Sequence, residues 1–231
     1  MRRVEEFLAE QVAIRGAEPA LSDSIGTHWT FDEFDRASDD VAKVLRKAGV
    51  QPNDRVLMLS ENCAAAVATV FGTWKAGGVI IPVNARQSPV EIQRIIDHAT
   101  PAVVLMTTCA SSDAVKHSDA MGGEEVTGAF GSLHLATPIT SNPDADLGDV
   151  AVLLYTTGTT GDPKGVMLTH DNVRFGGKTS AKLRGISAGS VVYGVLPLTH
   201  VFGLCSVMTA SCCAGAHVRL EARFSAEKLY T

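Results

Sequence analysis

Apolar residues recur at helical spacing through Phe31, Phe34, Val41, Val44, Leu45 and Ala48, and the run opens on Thr30-Phe31-Asp32-Glu33. A threonine followed three residues on by a glutamate lets each side chain satisfy the other's backbone amide, so an amphipathic helix is predicted from there to Gly49. Arg55 to Ser60 is a short apolar run that reads as a buried strand. Asn62 is expected to cap a second helix ending near Lys75, where Gly77 and Gly78 permit a left-handed exit. Val79-Ile80-Ile81-Pro82 is the next strand. Ser88-Pro89-Val90-Glu91 joins an N-cap, a proline at the first helical position and a returning glutamate, opening a third helix that carries Ile92, Ile95 and Ile96. Ala102 to Met106 and Val150 to Tyr155 are further strands. Residues 107–135 are less periodic, and the turn formers of 137–144 predict an exposed connector near 137–149.

Strands that alternate with amphipathic helices need crossover connections, which predicts an α/β fold with a mostly parallel sheet flanked by helices. From Gly185 to Val218 no Asp, Glu, Lys or Arg occurs, yet Pro197, His200 and His217 interrupt the run and Gly, Ser and Thr are frequent in it. A buried strand and helix are expected there, and no membrane span.

Composition narrows the function classes. With 231 residues, 45% hydrophobic and 19% charged, the chain can build a substantial core, so disorder is excluded. A net charge of -5 with no basic block argues against a nucleic-acid partner. Glu5 and Glu6 stand where a signal peptide would begin its apolar stretch, and the five cysteines form no CxxC pair. Reduced, buried thiols and a cytoplasmic location are expected. The low charged fraction and slightly positive mean hydropathy predict more apolar surface than the chain buries by itself.

The chemistry concentrates in Tyr155-Thr156-Thr157-Gly158-Thr159-Thr160-Gly161-Asp162-Pro163-Lys164-Gly165-Val166, set between an apolar strand and an expected helix. Glycines let the backbone approach an anion and gather its N–H groups, the hydroxyls add donors, and Lys164 supplies a full positive charge. Such a loop suits a polyphosphate. A Walker A loop would need Ser or Thr after the lysine, and Gly165 stands there instead. A glycine- and threonine-rich turn without a ligand would account for only one or two of these residues.

These twelve residues resemble the signature loop of the adenylate-forming superfamily of acyl-CoA synthetases, aryl-CoA ligases, luciferases and peptide-synthetase adenylation domains. Trp29 to Phe34 and Trp74 to Pro82 resemble two earlier motifs of that superfamily, although helix caps alone account for both. Leu196-Pro197-Leu198-Thr199-His200-Val201-Phe202-Gly203 resembles the segment whose imidazole lines the acyl pocket, with Thr199 where an aromatic residue is usual. A hydrogen-bonded core histidine is the other reading of His200.

The resemblance implies a ligase in which a carboxylic acid, a fatty acid by preference, attacks the α-phosphorus of ATP, and coenzyme A captures the acyl-adenylate. It implies that Thr156, Thr157, Gly158, Thr159, Thr160, Gly161 and Lys164 hold the nucleotide. Thr156 and Lys164 are the catalytic candidates, Thr156 also touches Mg2+, and His200 meets the acid. An amino or aryl acid, or a non-catalytic nucleotide-binding remnant of the fold, are the alternatives. The superfamily's acidic magnesium motif, ribose-binding acid, hinge and C-terminal lysine are not found in the sequence. Residues 1–231 are therefore expected to be the N-terminal portion of the adenylation domain, without the C-terminal lid. Such a fragment would be weakly active or inactive alone, its apolar face meeting the rest of its own enzyme or a second copy.

Overall fold

A computed structural model describes residues 2–138, 147–156 and 163–223. The chain begins with α1 (Glu6–Arg15), a hairpin of β1 (Pro19–Asp23) and β2 (His28–Thr30), and α2 (Phe31–Lys47). Thr30 caps α2 as its sequence requires: the Glu33 amide donates to Thr30 Oγ1 at 3.2 Å and the Thr30 amide to Glu33 Oε2 at 2.8 Å. Those bonds hold the Glu33 carboxyl below its usual range. Gly49, with φ of 90°, makes the left-handed exit that a side chain would resist.

The central part alternates as expected: β3 (Arg55–Ser60), α3 (Ala64–Lys75), β4 (Val79–Asn84), α4 (Pro89–Ala99) and β5 (Val103–Met106). Then come α5 (Ser112–Met121) and an antiparallel hairpin of β6 (Glu124–Gly128) and β7 (Gly131–Ala136) in the stretch whose pattern was weak. After the connector, of which 139–146 lie outside the described residues, follow β8 (Val150–Thr156), β9 (Lys164–Thr169) and α6 (His170–Arg184). The chain continues through β10 (Val191–Gly194), a π-helix (Phe202–Thr209), α7 (Ala210–Ala214) and β11 (His217–Leu220).

Seven strands form one sheet in the order β6-β7-β5-β3-β4-β8-β9, and four form another in the order β10-β11-β1-β2. In the larger sheet β5, β3, β4 and β8 run parallel, with antiparallel strands at both edges. Period-two alternation sorts its side chains into two cores. Val56, Met58, Ile80, Val103 and Leu105 face the core shared with α2, α3 and the smaller sheet. Leu57, Leu59, Ile81, Val104 and Met106 face the core closed by Ile92, Ile95 and Ile96 of α4. Both faces of the parallel strands are buried, which explains why they read as unbroken apolar runs.

Two expectations are corrected. Asn62 does not cap α3: Cys63 is the N-cap residue, and the Ala64 amide donates to the Asp23 carboxylate of β1 at 2.9 Å. The segment after the threonine-rich loop is strand β9, not a helix, because Val166, Met167 and Leu168 pair with β8. Helix α6 begins only at His170, where the Asn172 amide donates to Thr169 Oγ1 at 3.1 Å.

Candidate functional site

Strands β8 and β9 carry the threonine-rich loop between them, with Thr156 and Lys164 paired across the last register position of the ladder. Directly paired residues point to the same face, so the hydroxyl and the ammonium flank the mouth of the loop together, and both are exposed to solvent. Thr157, Gly158, Thr159, Thr160 and Gly161 lie outside the described residues. One register step below, the Tyr155 ring packs over Gly165, where a Cβ would stand 3.3 Å from Tyr155 Cζ. The Tyr155 hydroxyl hydrogen-bonds His98 Nδ1 on α4 at 2.8 Å, and burial pushes its pKa up. The base of the loop is thus tied to the helix layer beneath it.

Because β8 runs parallel to β4, Thr156 leaves the sheet at the same end as Ser60 of β3 and Asn84 of β4. Carboxyl ends of parallel strands are where open α/β sheets place ligands. A cavity of about 590 Å³ opens at that end, lined by residues that include Glu61, Asn62, Arg86, Thr199 and Arg223.

The dipeptide after β3 organises that cavity. Asn62 donates to the carbonyls of Gly194 at 3.1 Å and Leu196 at 2.9 Å and accepts from the Leu198 amide at 2.9 Å. Its amide therefore fixes the path of 194–198, immediately before Thr199 and His200. Glu61, with only 2% of its side chain exposed, pairs with Arg86 at 3.3 Å and Arg223 at 3.1 Å. A buried carboxylate is costly without partners, and two guanidiniums satisfy it. Arg223 also lies 3.8 Å from Asp113.

His200 is exposed, which removes the reading of a core histidine. It sits two residues before the π-helix, and its Nδ1 accepts from the Phe202 amide at 3.3 Å. The neutral ring then carries its proton on Nε2. Thr199, beside it, lines the cavity. Among the described residues no group of three or more His, Cys, Asp or Glu is arranged to hold a metal ion. Thr156 offers a single hydroxyl, so these residues alone do not fit a resident divalent cation.

Residues 8–230 match the model of the AMP-binding enzyme family. The chain belongs to that family. Among AMP-binding enzymes it is 30% identical to 4-coumarate–CoA ligase 3 of Oryza sativa subsp. japonica, over 96% of this chain and 42% of that one. It is 33% identical to feruloyl-CoA synthase of an Amycolatopsis species, over 86% of this chain and 40% of that one. The chain thus spans about two fifths of the length of these curated relatives. Among solved structures, ATP-bound MatB from Rhodopseudomonas palustris superposes with a TM-score of 0.77 at 25% identity, covering 99% of this chain and 47% of that one. The N-terminal domain of FACL13 from Mycobacterium tuberculosis shares the fold, with a TM-score of 0.79 at 21% identity, over all of this chain and 60% of that one. No helix among the described residues is long and apolar enough to cross a membrane.

Sequence reasoning named Thr156, Lys164 and His200 as candidates, did not single out the cavity-lining Glu61, Arg86 and Arg223, and gave Asn62 the wrong task. The available signal was a polar pair directly following an apolar strand, at the end of the sheet where ligands sit.

Proposed function

We propose that this chain is the N-terminal portion of an acid–CoA ligase that activates a carboxylic acid with ATP and transfers the acyl group to coenzyme A. The pairing of Thr156 with Lys164 across the mouth of the loop, at the carboxyl end of the parallel strands, carries this reading. A carboxylate oxygen attacks the α-phosphorus and the bond to the departing pyrophosphate breaks. Negative charge collects on the leaving group, where the Lys164 ammonium and Thr156 hydroxyl meet it without first having to reorganise. In the second half-reaction the thiol of coenzyme A attacks the acyl carbonyl and AMP departs. Arg86 and Arg223, lining the cavity around one buried carboxylate, are the cations placed for an anionic part of a substrate. His200 is proposed to meet the acid, and the loop residues Thr157 to Gly161 to hold the nucleotide phosphates. Mg2+ is proposed to accompany ATP with Thr156 as one contact, but no step here depends on it. Five free cysteines fit a cytoplasmic setting.

Fatty acids follow from the sequence resemblance, whereas the Oryza and Amycolatopsis relatives are named for 4-coumarate and feruloyl-CoA. ATP–pyrophosphate exchange across fatty, aryl and amino acids separates these classes. Exchange with one class and its loss in Lys164→Ala support the ligase. Nucleotide binding with no exchange for any acid, in this chain and in one extended to the length of its relatives, leaves the non-catalytic reading.

A further inference from the structure

Strands β3 and β5 are parallel neighbours with Leu59 opposite Met106, and the Thr107 amide extends the ladder by donating to the Leu59 carbonyl at 3.1 Å. A cysteine follows each of these strands shortly past its end. Cys63 follows β3 as the N-cap residue of α3 and is fully buried. Cys109 follows β5 in a turn closed by the Ala110 amide and the Thr107 carbonyl at 3.1 Å, and it alone of the five cysteines is exposed. Each thiol perturbs the ionisation of the other.

We infer that Cys109 and Cys63 form a two-thiol oxidation site, in which a hydroperoxide oxidises Cys109 and Cys63 resolves the product as a disulfide. Exposure sets the roles, with Cys109 open to solvent and Cys63 buried. Interaction between the two thiols lowers the Cys109 pKa, while the same interaction and then burial hold Cys63 well above the ordinary thiol value. The nearby Asp23 carboxylate opposes ionisation of both. Cys205 is pushed up to about 11 by burial, and Cys212 and Cys213 are raised as well, so these three remain thiols. Exposure, thiolate character and an adjacent second thiol are the properties of an oxidisable pair.

In the first step the Cys109 thiolate attacks one peroxide oxygen. A sulfur–oxygen bond forms, the oxygen–oxygen bond breaks, and the reduced peroxide leaves as water or an alcohol. Cys109 has then lost two electrons and is a sulfenic acid. Cys63 sulfur attacks the Cys109 sulfur, a disulfide forms, and the departing hydroxide leaves as water with the Cys63 proton.

The test treats this chain with hydrogen peroxide, blocks remaining thiols with N-ethylmaleimide, and maps the peptides by mass spectrometry without reductant. A Cys63–Cys109 cross-link that dithiothreitol removes, with Cys205, Cys212 and Cys213 still alkylated after denaturation, is expected. Cys63→Ala should halt Cys109 at the sulfenic acid, captured by dimedone, and Cys109→Ser should leave Cys63 a free thiol. A Cys109 that stays reduced, or that joins only a second chain, overturns the inference, as does equal oxidation of Cys63 in Cys109→Ser.

Discussion

His170 shows how much one buried side chain can decide. Only 1% exposed, it accepts a hydrogen bond at Nδ1 from the Val4 amide at 3.1 Å, anchoring the N-terminal segment. Burial first, and then the Arg3 and Arg174 charges, push its pKa down to about 4, with Glu6 opposing. An unfolded imidazole takes up its proton near 6.5, so between that pH and about 4 the unfolded chain binds more protons than the folded one. Stability from this group is complete above pH 6.5 and falls as pH drops toward 4, by on the order of 3 kcal/mol in all. In His170→Asn, whose side-chain oxygen still accepts from Val4, urea titrations from pH 7 to 4 should lose most of that slope. At the loop, Lys164→Ala should cost about 2 to 4 kcal/mol of transition-state stabilisation in the active enzyme, read as kcat/KM for the acid, if its ammonium faces the developing charge.

Elements were legible where their signals are local. The caps at Thr30 and Ser88 close within three residues, and both form as the sequence requires. Asn62 looked the same on paper, but its partners are Gly194, Leu196 and Leu198, more than a hundred residues away. Only the folded chain brings a second sheet to the end of the first. The glycine and threonine residues before Lys164 likewise gave no local sign that β9 is a strand, since its partner β8 precedes them in the chain. Asn62→Ala should therefore loosen 194–200 more than it destabilises α3: proteolysis should rise at that loop while the helical circular dichroism holds. The packing of α2 on α3 depends on Gly72, where a Cβ would stand 2.5 Å from Val41 Cβ and 2.7 Å from the Ser38 carbonyl. Gly72→Ala should force these helices apart, with a loss of roughly 1 to 3 kcal/mol in chemical denaturation.

Some apolar side chains stay exposed on the folded molecule. Edge strand β9 exposes both Val166 and Met167, consecutive residues on opposite faces, and α6 exposes Phe175 and Leu183. An open strand with apolar side chains invites pairing with another chain. Sedimentation should show association that grows with concentration, and Met167→Lys should diminish it; a monomer at all concentrations contradicts this expectation. The fold class was readable because alternating strands and helices leave few arrangements, whereas the surrounding contacts of the cavity, joined from residues 61, 86 and 223, had no local signature.

The smaller sheet interleaves the two ends of the described chain, with β1 lying between β2 and β11 and Leu21 opposite Val218. On a ribosome the early hairpin must wait for a strand made much later in the chain. At about 5 to 20 residues per second, that interval is on the order of 10 to 40 s. Through it, one edge of β1 remains open, so the nascent hairpin is a natural client for a chaperone until β11 arrives.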